Sequence, residues 1–275
     1  LCKKLKSFFV IFFSCYKATN DGATPVFTAA KNNNKETLQL LIQAGADINQ
    51  ALKDGNTPAY IAAEKNNKEA LQLLTQAGAD INQAEEDGAT PAYIAAQNNS
   101  IEALQVLIQA RANINKATND GNTPAFIAAQ QNSKKALQLL IQAGADINKA
   151  NDDGATPAFI AAQENSIEAL QLLIQAGADI NNANEDRATP AFIAAGYDSK
   201  EALQLLIQAG ADINKALENG ATPVFIAAQS NSKEALQILI QASADINKAL
   251  ECGTTPAFIA AQNNSKEALQ LLIQA

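Results

Sequence analysis

Apolar and polar positions follow one another along this chain in a pattern that returns every 33 residues, as from Thr24 to Thr57. Within each period, a run such as Ala-Phe-Ile-Ala-Ala follows a Thr-Pro pair, and a run such as Ala-Leu-Gln-Leu-Leu-Ile follows after a short polar segment. In the second run, Leu137, Leu140 and Ile141 stand three and four positions apart, which is one face of a helix. The alanines of the first run predict a thin helix that a neighbour can approach closely. Each period therefore predicts two helices.

Proline and glycine mark where these helices begin and end. In the fourth period, Thr123 is predicted to cap the first helix and Pro124 to begin it, where the missing N–H of proline costs nothing. A tight turn at Asp120-Gly121 precedes the cap. The Thr-Pro pairs account for all eight prolines and begin at Thr24, Thr57, Thr90, Thr123, Thr156, Thr189, Thr222 and Thr255.

The second helix has boundary signals of its own. Asn132 is predicted to end the first helix in a left-handed conformation, and Ser133 to cap the second. Gly144 is predicted to end the second helix, and the Ala-Asp-Ile-Asn that follows to be extended. One repeat is thus a turn, which we call the finger, followed by an antiparallel helix pair. Because a single repeat cannot bury its own apolar face, the repeats are predicted to stack.

The pattern resembles the ankyrin repeat family in its length, its Gly-x-Thr-Pro, its Ala-Ala and its Gly-Ala-Asp-Ile-Asn. The resemblance covers residues 17–275, interpreted as one domain of eight repeats of which the last is truncated. It implies an all-α solenoid of helix-turn-helix units with β-turn or hairpin fingers, whose concave side is lined by fingers and first helices. The chain has Thr-Pro-Ala-Phe or Thr-Pro-Ala-Tyr where the family has Thr-Pro-Leu-His. We expect the aromatic ring, as in Phe126, to fill the space left by the smaller alanine.

Acidic residues in the fingers are the first candidates for a binding surface. The chain has a net charge of −8, but residues 1–16 contain three lysines and no acid, so the repeats carry 17 basic and 28 acidic side chains. Nucleic acid needs a basic face and is an unsuitable ligand, whereas a ridge of acids would steer a basic protein partner. Asp and Asn also favour turns for structural reasons alone, and this alternative stays open. The fingertip acids are Asp54, Glu86, Asp87, Asp120, Asp152, Asp153, Glu185, Asp186, Glu218 and Glu251.

The sixth repeat departs most from the pattern. Arg187 replaces the turn glycine, and Gly196-Tyr197-Asp198 replaces the usual segment between the helices. The contact surface of the family includes this position, so the resemblance implies a binding hot spot at Tyr197 with Arg187. Neutral drift in a redundant repeat is the alternative. The remaining candidate contacts lie at the ends of first helices, at Gln97, Gln130, Gln163 and Gln229.

Two further departures predict weak points. Arg111 and Ser243 replace the glycine that ends the second helix in the third and seventh repeats. If these residues keep a left-handed backbone, each costs about 1 kcal/mol. The third and seventh repeats are therefore predicted to be the weaker links of the stack.

Residues suited to catalysis are nearly absent. The chain has no histidine, and Cys2, Cys15 and Cys252 lack paired spacing. Gly-rich phosphate loops and a serine nucleophile elbow are missing too. We therefore predict a protein without enzymatic activity, cofactor, metal or small-molecule substrate, which binds another protein along its concave face. The alternatives are a spacer that holds flanking domains apart, or a module of a larger protein whose activity lies in its flanks.

Residues 1–16 do not match the repeat. Their lysines, the apolar run 8–13 and Ser14-Cys15 are similar to a short lipoprotein signal, which would place the repeats at a membrane. The alternatives are a degenerate helix that caps the first repeat, which goes with an intracellular location, and a misread coding boundary. Since the chain begins at Leu1 without Met and stops at Ala275 within a predicted helix, we interpret it as a fragment of a longer protein.

Overall fold

A computed structural model describes residues 18–20 and 22–275 of the chain. The expectations for residues 1–16 lie outside the described residues. The described part contains sixteen helices and no strand, and none of these helices is long and apolar enough to cross a membrane. In chain order the helices are α1 Pro25–Lys31, α2 Lys35–Gln43, α3 Pro58–Glu64, α4 Lys68–Gln76, α5 Pro91–Gln97, α6 Ile101–Gln109, α7 Pro124–Gln130, α8 Lys134–Gln142, α9 Pro157–Gln163, α10 Ile167–Gln175, α11 Pro190–Gly196, α12 Lys200–Gln208, α13 Pro223–Gln229, α14 Lys233–Gln241, α15 Pro256–Gln262 and α16 Lys266–Gln274.

The first helix of each repeat begins as predicted. In the fifth repeat, the Thr156 hydroxyl accepts a hydrogen bond from the Phe159 N–H at 3.2 Å, with Pro157 as the first helical residue. The left-handed conformation predicted between the helices is also confirmed, with φ 51° at Asn132. The same threonine cap is formed at Thr24, Thr57, Thr90, Thr189, Thr222 and Thr255.

The second helices end as predicted. After α10, the Gly177 N–H donates to Ile174 O at 3.1 Å and the Ala178 N–H to Leu173 O at 2.9 Å, with φ 81° at Gly177. Arg111 and Ser243 adopt the same left-handed conformation, with φ 61° and 60°. The condition for the predicted cost of these two residues is therefore met.

The prediction that serine caps the second helix is wrong. Ser133 and Ser166 stand at the N-cap position but make no capping bond with their side chains. The buried Ser166 hydroxyl instead donates to Gln130 O at 3.1 Å, and Gln130 is the last residue of α7, the first helix of the preceding repeat. The N–H that a cap would satisfy is already bonded, because Ala169 donates to the Asn132 side chain of the preceding repeat at 3.0 Å. Serine therefore joins two repeats. It donates to the carbonyl at the C-terminus of α7, which has no partner within that helix.

The prediction that Ala-Asp-Ile-Asn is extended is also wrong in part. In the fifth repeat, Ile180 and Asn181 form a turn, because the Asp179 carboxylate accepts the Asn181 N–H at 2.9 Å. The Asn181 side chain then accepts the N–H of Asp212 in the next repeat at 2.9 Å. This segment therefore also contributes a bond between repeats.

The chain divides into two compact bodies, one up to Pro124 and the other from Ala125. In the first body, α1, α3 and α5 form one layer and α2, α4 and α6 a second. In the second body, α9, α11, α13 and α15 form one layer and the even-numbered helices α8 to α16 the other. The core of each body lies between its layers and is made of leucines and alanines with no exposed surface, such as Leu170 and Ala161.

The aromatic residue of the first helix packs in this core, as expected. Tyr60, Phe126, Phe159 and Phe192 are all buried. Phe258, in the last repeat of the chain, is 59% exposed. Burial of this ring therefore depends on the repeat that follows it.

Candidate interaction surface

Each finger is a tight turn closed by backbone hydrogen bonds. In the fifth repeat, Asn151 N–H donates to Ala155 O at 2.9 Å and Gly154 N–H to Asn151 O at 3.0 Å. Gly154 has φ 77°, in the left-handed region that favours glycine. The turn leaves the side chains of Asp152 and Asp153 exposed at its tip.

The fingertip acids named from the sequence are all exposed: Asp54, Glu86, Asp87, Asp120, Asp152, Asp153, Glu185, Asp186, Glu218 and Glu251. Some also hold their own turn, since the Asp54 carboxylate accepts the Asn56 N–H at 3.1 Å. The turn-forming role proposed as an alternative is therefore real at such positions. It leaves the outer face of the carboxylate open to a partner.

The other candidates lie at the opposite end of the first helices. Tyr197 follows α11 and is 63% exposed. Gln97, Gln130 and Gln163 are half-buried and Gln229 is exposed. Whether these residues contact a partner stays a prediction.

Neighbouring fingers are joined at their tips by a backbone hydrogen bond. In the second body, Glu185 N–H donates to Asp153 O and Glu251 N–H to Asn219 O, both at 3.0 Å. In the first body, Asn119 N–H donates to Asp87 O at 2.8 Å. Where it forms, this bond holds two successive acidic tips in register.

At two of the linked fingers there is no room for a side chain at the turn glycine. A Cβ atom at Gly154 would lie 2.6 Å from the backbone nitrogen of Glu185, and one at Gly88 would lie 2.7 Å from that of Asn119. Contacts this short do not occur with real Cβ atoms. The glycine is therefore needed for its size as well as for its positive φ.

Arg187 breaks this rule between the sixth and seventh repeats. It keeps the turn, with φ 64° and its N–H bonded to Asn184 O at 2.9 Å. Among the described backbone bonds, however, none joins Glu218 to Asp186, which is the pair that corresponds to Glu185 and Asp153. Instead the Arg187 guanidinium forms an ion pair with the Glu218 carboxylate at 2.8 Å.

A cleft of about 510 Å³ lies at this junction. Its apolar lining comes from Ala188, from Phe192 and Ile193 of α11, and from Leu217 of the next finger. Its polar lining comes from both fingers: Asn184, Glu185, Asp186, Arg187, Glu218 and Asn219. The sequence identified Arg187 and all three acids of the lining as candidates, but it did not reveal the apolar lining. The signal for that lining is the replacement of a glycine that packs against the next finger.

Tyrosine links a first helix to the next finger in the first body. The Tyr60 hydroxyl donates to a Glu85 carboxylate oxygen at 2.6 Å. Burial raises the pKa of Tyr60 well above its usual range and also raises the pKa of Glu85. Burial likewise raises the pKa of Tyr93 to about 12. These tyrosines stay protonated at neutral pH and act as packing and hydrogen-bonding groups.

The segment between the helices contains a second feature that the sequence did not reveal. The Asn165 side chain accepts the Ala202 N–H at 3.0 Å and donates to the Glu201 carboxylate at 2.9 Å. Asp198 takes the corresponding place in the sixth repeat and accepts the Ala235 N–H at 2.8 Å. It has no amide to donate, so it faces the Glu234 carboxylate, and burial together with this neighbour raises the pKa of Asp198.

The described residues contain no group of three or more acidic or cysteine side chains arranged to hold a metal ion. The acidic tips are spread one finger after another.

Comparison with known proteins agrees with this architecture. A family model described as ankyrin repeats (three copies) matches residues 2–85, 78–151, 144–216 and 191–275. Among solved structures, the chain is similar to the crystal structure of the ankyrin repeat domain of Bcl-3, a protein described as a unique member of the IkappaB protein family. The similarity has a TM-score of 0.71 and 26% sequence identity, and it covers 80% of this chain and 100% of that one. A search of curated proteins finds no match.

Proposed function

Because this chain belongs to the ankyrin repeat family, a family of non-enzymatic scaffolds for protein–protein interaction, we propose that it binds a partner protein through its fingers and first-helix ends. The observation that carries the proposal is the exposure of an acid at every fingertip from the second repeat onward. Such a row of charges speeds association with a basic surface and selects against an acidic one.

The partner surface is therefore proposed to be basic. Where neighbouring fingers are linked, the link fixes the spacing of their acids, so the partner does not have to order them on binding. Tyr197 supplies an exposed aromatic ring, a residue type that often dominates binding energy. The half-buried glutamines at the first-helix ends add polar contacts at the rim.

Affinity capture tests this proposal with two charge-matched variants. The first removes six fingertip charges by replacing Asp with Asn and Glu with Gln, and the second removes six exposed charges from the Asp-Ile-Asn segments in the same way. Both keep an oxygen that can accept the hydrogen bonds of the turn. The fingertip variant changes Asp54, Asp87, Asp120, Asp153, Asp186 and Glu218, and the control changes Asp47, Asp80, Asp146, Asp179, Asp212 and Asp245.

We expect a specific protein to be retained by the original chain and by the control, and lost by the fingertip variant. Retention should weaken as salt is raised, since exposed charges are screened over about 10 Å at 0.1 M salt. Equal retention by all three proteins would contradict a role for the fingertips. If nothing specific is retained by any of them, the spacer interpretation gains.

A further inference from the structure

We propose that the cleft between the sixth and seventh fingers receives a lysine or arginine side chain of the partner protein. The proposal rests on the proposed function, because it names the part of a protein partner that one place on this surface would hold. The volume of about 510 Å³ lies within the range of about 300–1,000 Å³ found for ligand pockets. The cleft is therefore large enough to enclose a long side chain.

The cleft results from one residue. The sixth finger closes like the fifth, since Asn184 N–H donates to Ala188 O at 3.0 Å as Asn151 does to Ala155 at 2.9 Å. Only the link to the next finger differs. At Gly154 a Cβ atom would lie 2.6 Å from the Glu185 nitrogen, and Arg187 has a Cβ atom at the corresponding place. The seventh finger must move away to accommodate it, and the space between the fingers opens.

The chemistry of the lining selects the occupant. Phe192, Ile193 and Leu217 offer an apolar floor, and Glu185 and Asp186 stand exposed at the rim. Lysine and arginine combine an apolar stem with a cationic end, so they match both parts of the cleft. An aliphatic side chain would leave the rim acids without a partner, and an acidic one would be repelled by them.

Arg187 leaves room for such an occupant. Its ion pair with Glu218 is formed by side chains that are 64% and 72% exposed, so the pair lies in water at the edge of the cleft. Exposed pairs of this kind contribute little to stability and open readily. The rim holds three acids and one cation, and it therefore keeps an excess of negative charge for an incoming cationic group.

A small-probe titration of the full chain tests the cleft directly. The probe is Nα-acetyl-lysine methylamide, and its neutral counterpart is Nα-acetyl-norleucine methylamide, which has the stem without the charge. Binding is followed by amide NMR shifts of the isotope-labelled protein at moderate salt. We expect saturable shifts at Phe192, Leu217 and Glu218 with the lysine probe, and binding at least roughly fivefold weaker with norleucine, about 1 kcal/mol.

Two variants at one position separate the cleft from general attraction. Arg187→Ala keeps the Cβ atom that holds the fingers apart, whereas Arg187→Gly removes it and lets the fingers rejoin. Both variants remove the same positive charge. If general electrostatic attraction were the only cause of binding, the lysine probe would bind both variants more tightly than the original chain, and to the same extent. The cleft instead predicts that Arg187→Ala binds at least as tightly as the original chain and that Arg187→Gly loses the shifts.

Shifts spread evenly over all acidic fingertips, or equal binding by the two variants, would overturn the proposal. Its failure can be told apart from failure of the proposed function. Capture of a partner that depends on fingertip acids but is the same for Arg187→Ala and Arg187→Gly rejects the cleft and keeps the scaffold. Shifts confined to the cleft in a chain that captures no protein would keep the pocket and reject the scaffold.

Discussion

The fifth and sixth repeats differ at only seven of 33 positions, yet they face their next neighbours differently. The fifth has Gly154 and Asn165, and its finger and inter-helix segment are both bonded to the repeat that follows. The sixth has Arg187 and Asp198. It loses the fingertip link, and it presents a carboxyl group to the glutamate of the next repeat where the fifth presents an amide. The helices themselves are almost unchanged. Specialisation in this array therefore occurs at the junctions between repeats.

The largest effect on stability is expected for Gly154→Ala, which places a methyl group between the linked fifth and sixth fingers. A positive φ costs a residue other than glycine about 1 kcal/mol, and loss of the fingertip bond costs about 1 kcal/mol more. Urea unfolding should therefore show a loss of about 2 kcal/mol. Gly177→Ala is the matched control, because Gly177 also has a positive φ of 81° but nothing lies within 4 Å of its Cβ position. Equal losses in both variants would show that finger contact is not the cause.

The reverse change, Arg187→Gly, should stabilise the protein by about 1 kcal/mol. It relieves a strained backbone and restores a hydrogen bond, and it gives up only an exposed ion pair. The Glu218 amide should become protected from hydrogen exchange. Arg187→Ala should change the free energy of unfolding by less than about 0.5 kcal/mol, because it keeps the backbone conformation. An unprotected Glu218 amide in the glycine variant would refute this account of the junction.

The two repeats should respond alike where their sequences agree. Ser166→Ala and Ser199→Ala each remove a hydrogen bond to the last carbonyl of the first helix in the preceding repeat. The bond from Ser166 is 3.1 Å long and that from Ser199 is 2.9 Å long. Each should destabilise the protein by about 1 kcal/mol, measured by urea unfolding. The exposed Ser230→Ala serves as control and should have an effect below about 0.5 kcal/mol. A serine variant no less stable than this control would argue against the bond between repeats.

The smallest effect concerns pH and Asp198→Asn. In the folded protein the pKa of Asp198 is raised, first by burial and then by Glu234, so the folded state holds this proton more tightly than the unfolded chain. The favourable contribution of the protonated carboxyl is complete below the unfolded pKa and is lost as pH rises through the folded pKa.

An amide at this position donates to Glu234 at any pH, so Asp198→Asn should stabilise by about 0.5 kcal/mol near neutrality and by less in acid. Lys200 and Lys233, which help to lower the pKa of Glu234, are unchanged in the variant. Asn165→Asp, in the fifth repeat, should show the opposite change. A stabilisation by Asp198→Asn that is independent of pH would contradict the carboxyl pairing. Thermal unfolding at several pH values measures both variants.

Local signals in the sequence predicted most of the fold. The threonine caps, the left-handed asparagines and the glycines that end most second helices all act within a few residues. They are confirmed in the fifth repeat and in most of the others. Ser133 occupies a position that matches a cap but makes no capping bond. At the equivalent position in the fifth repeat, the Ala169 N–H is bonded to Asn132 of the preceding repeat. A pattern within one repeat does not show which neighbour completes it.

The candidate site could be predicted only in part for the same reason. The positions and exposure of the fingertip acids follow from the turn, and Arg187 stood out as a departure from the array. Its consequence depends on a distance of 2.6 Å between a Cβ position and the backbone of the next finger, seen at Gly154. Such a distance is a property of stacking, and the apolar floor of the cleft was therefore missed.

The asparagine and serine side chains that reach from one repeat to the next have a consequence for how the array unfolds. The N-terminus of a second helix is capped by an asparagine of the preceding repeat. The C-terminal carbonyl of the first helix in that preceding repeat accepts a bond from the serine of the following one. Each of these two helix ends therefore needs the neighbouring repeat to satisfy its backbone groups. Stability is then held in nearest-neighbour couplings, as in a one-dimensional chain of interacting units. At the junction after the sixth repeat two of these couplings are altered, the fingertip link and the Asp198 contact. Within the second body, cooperativity should be weakest there, and partial opening of this body should begin at that boundary.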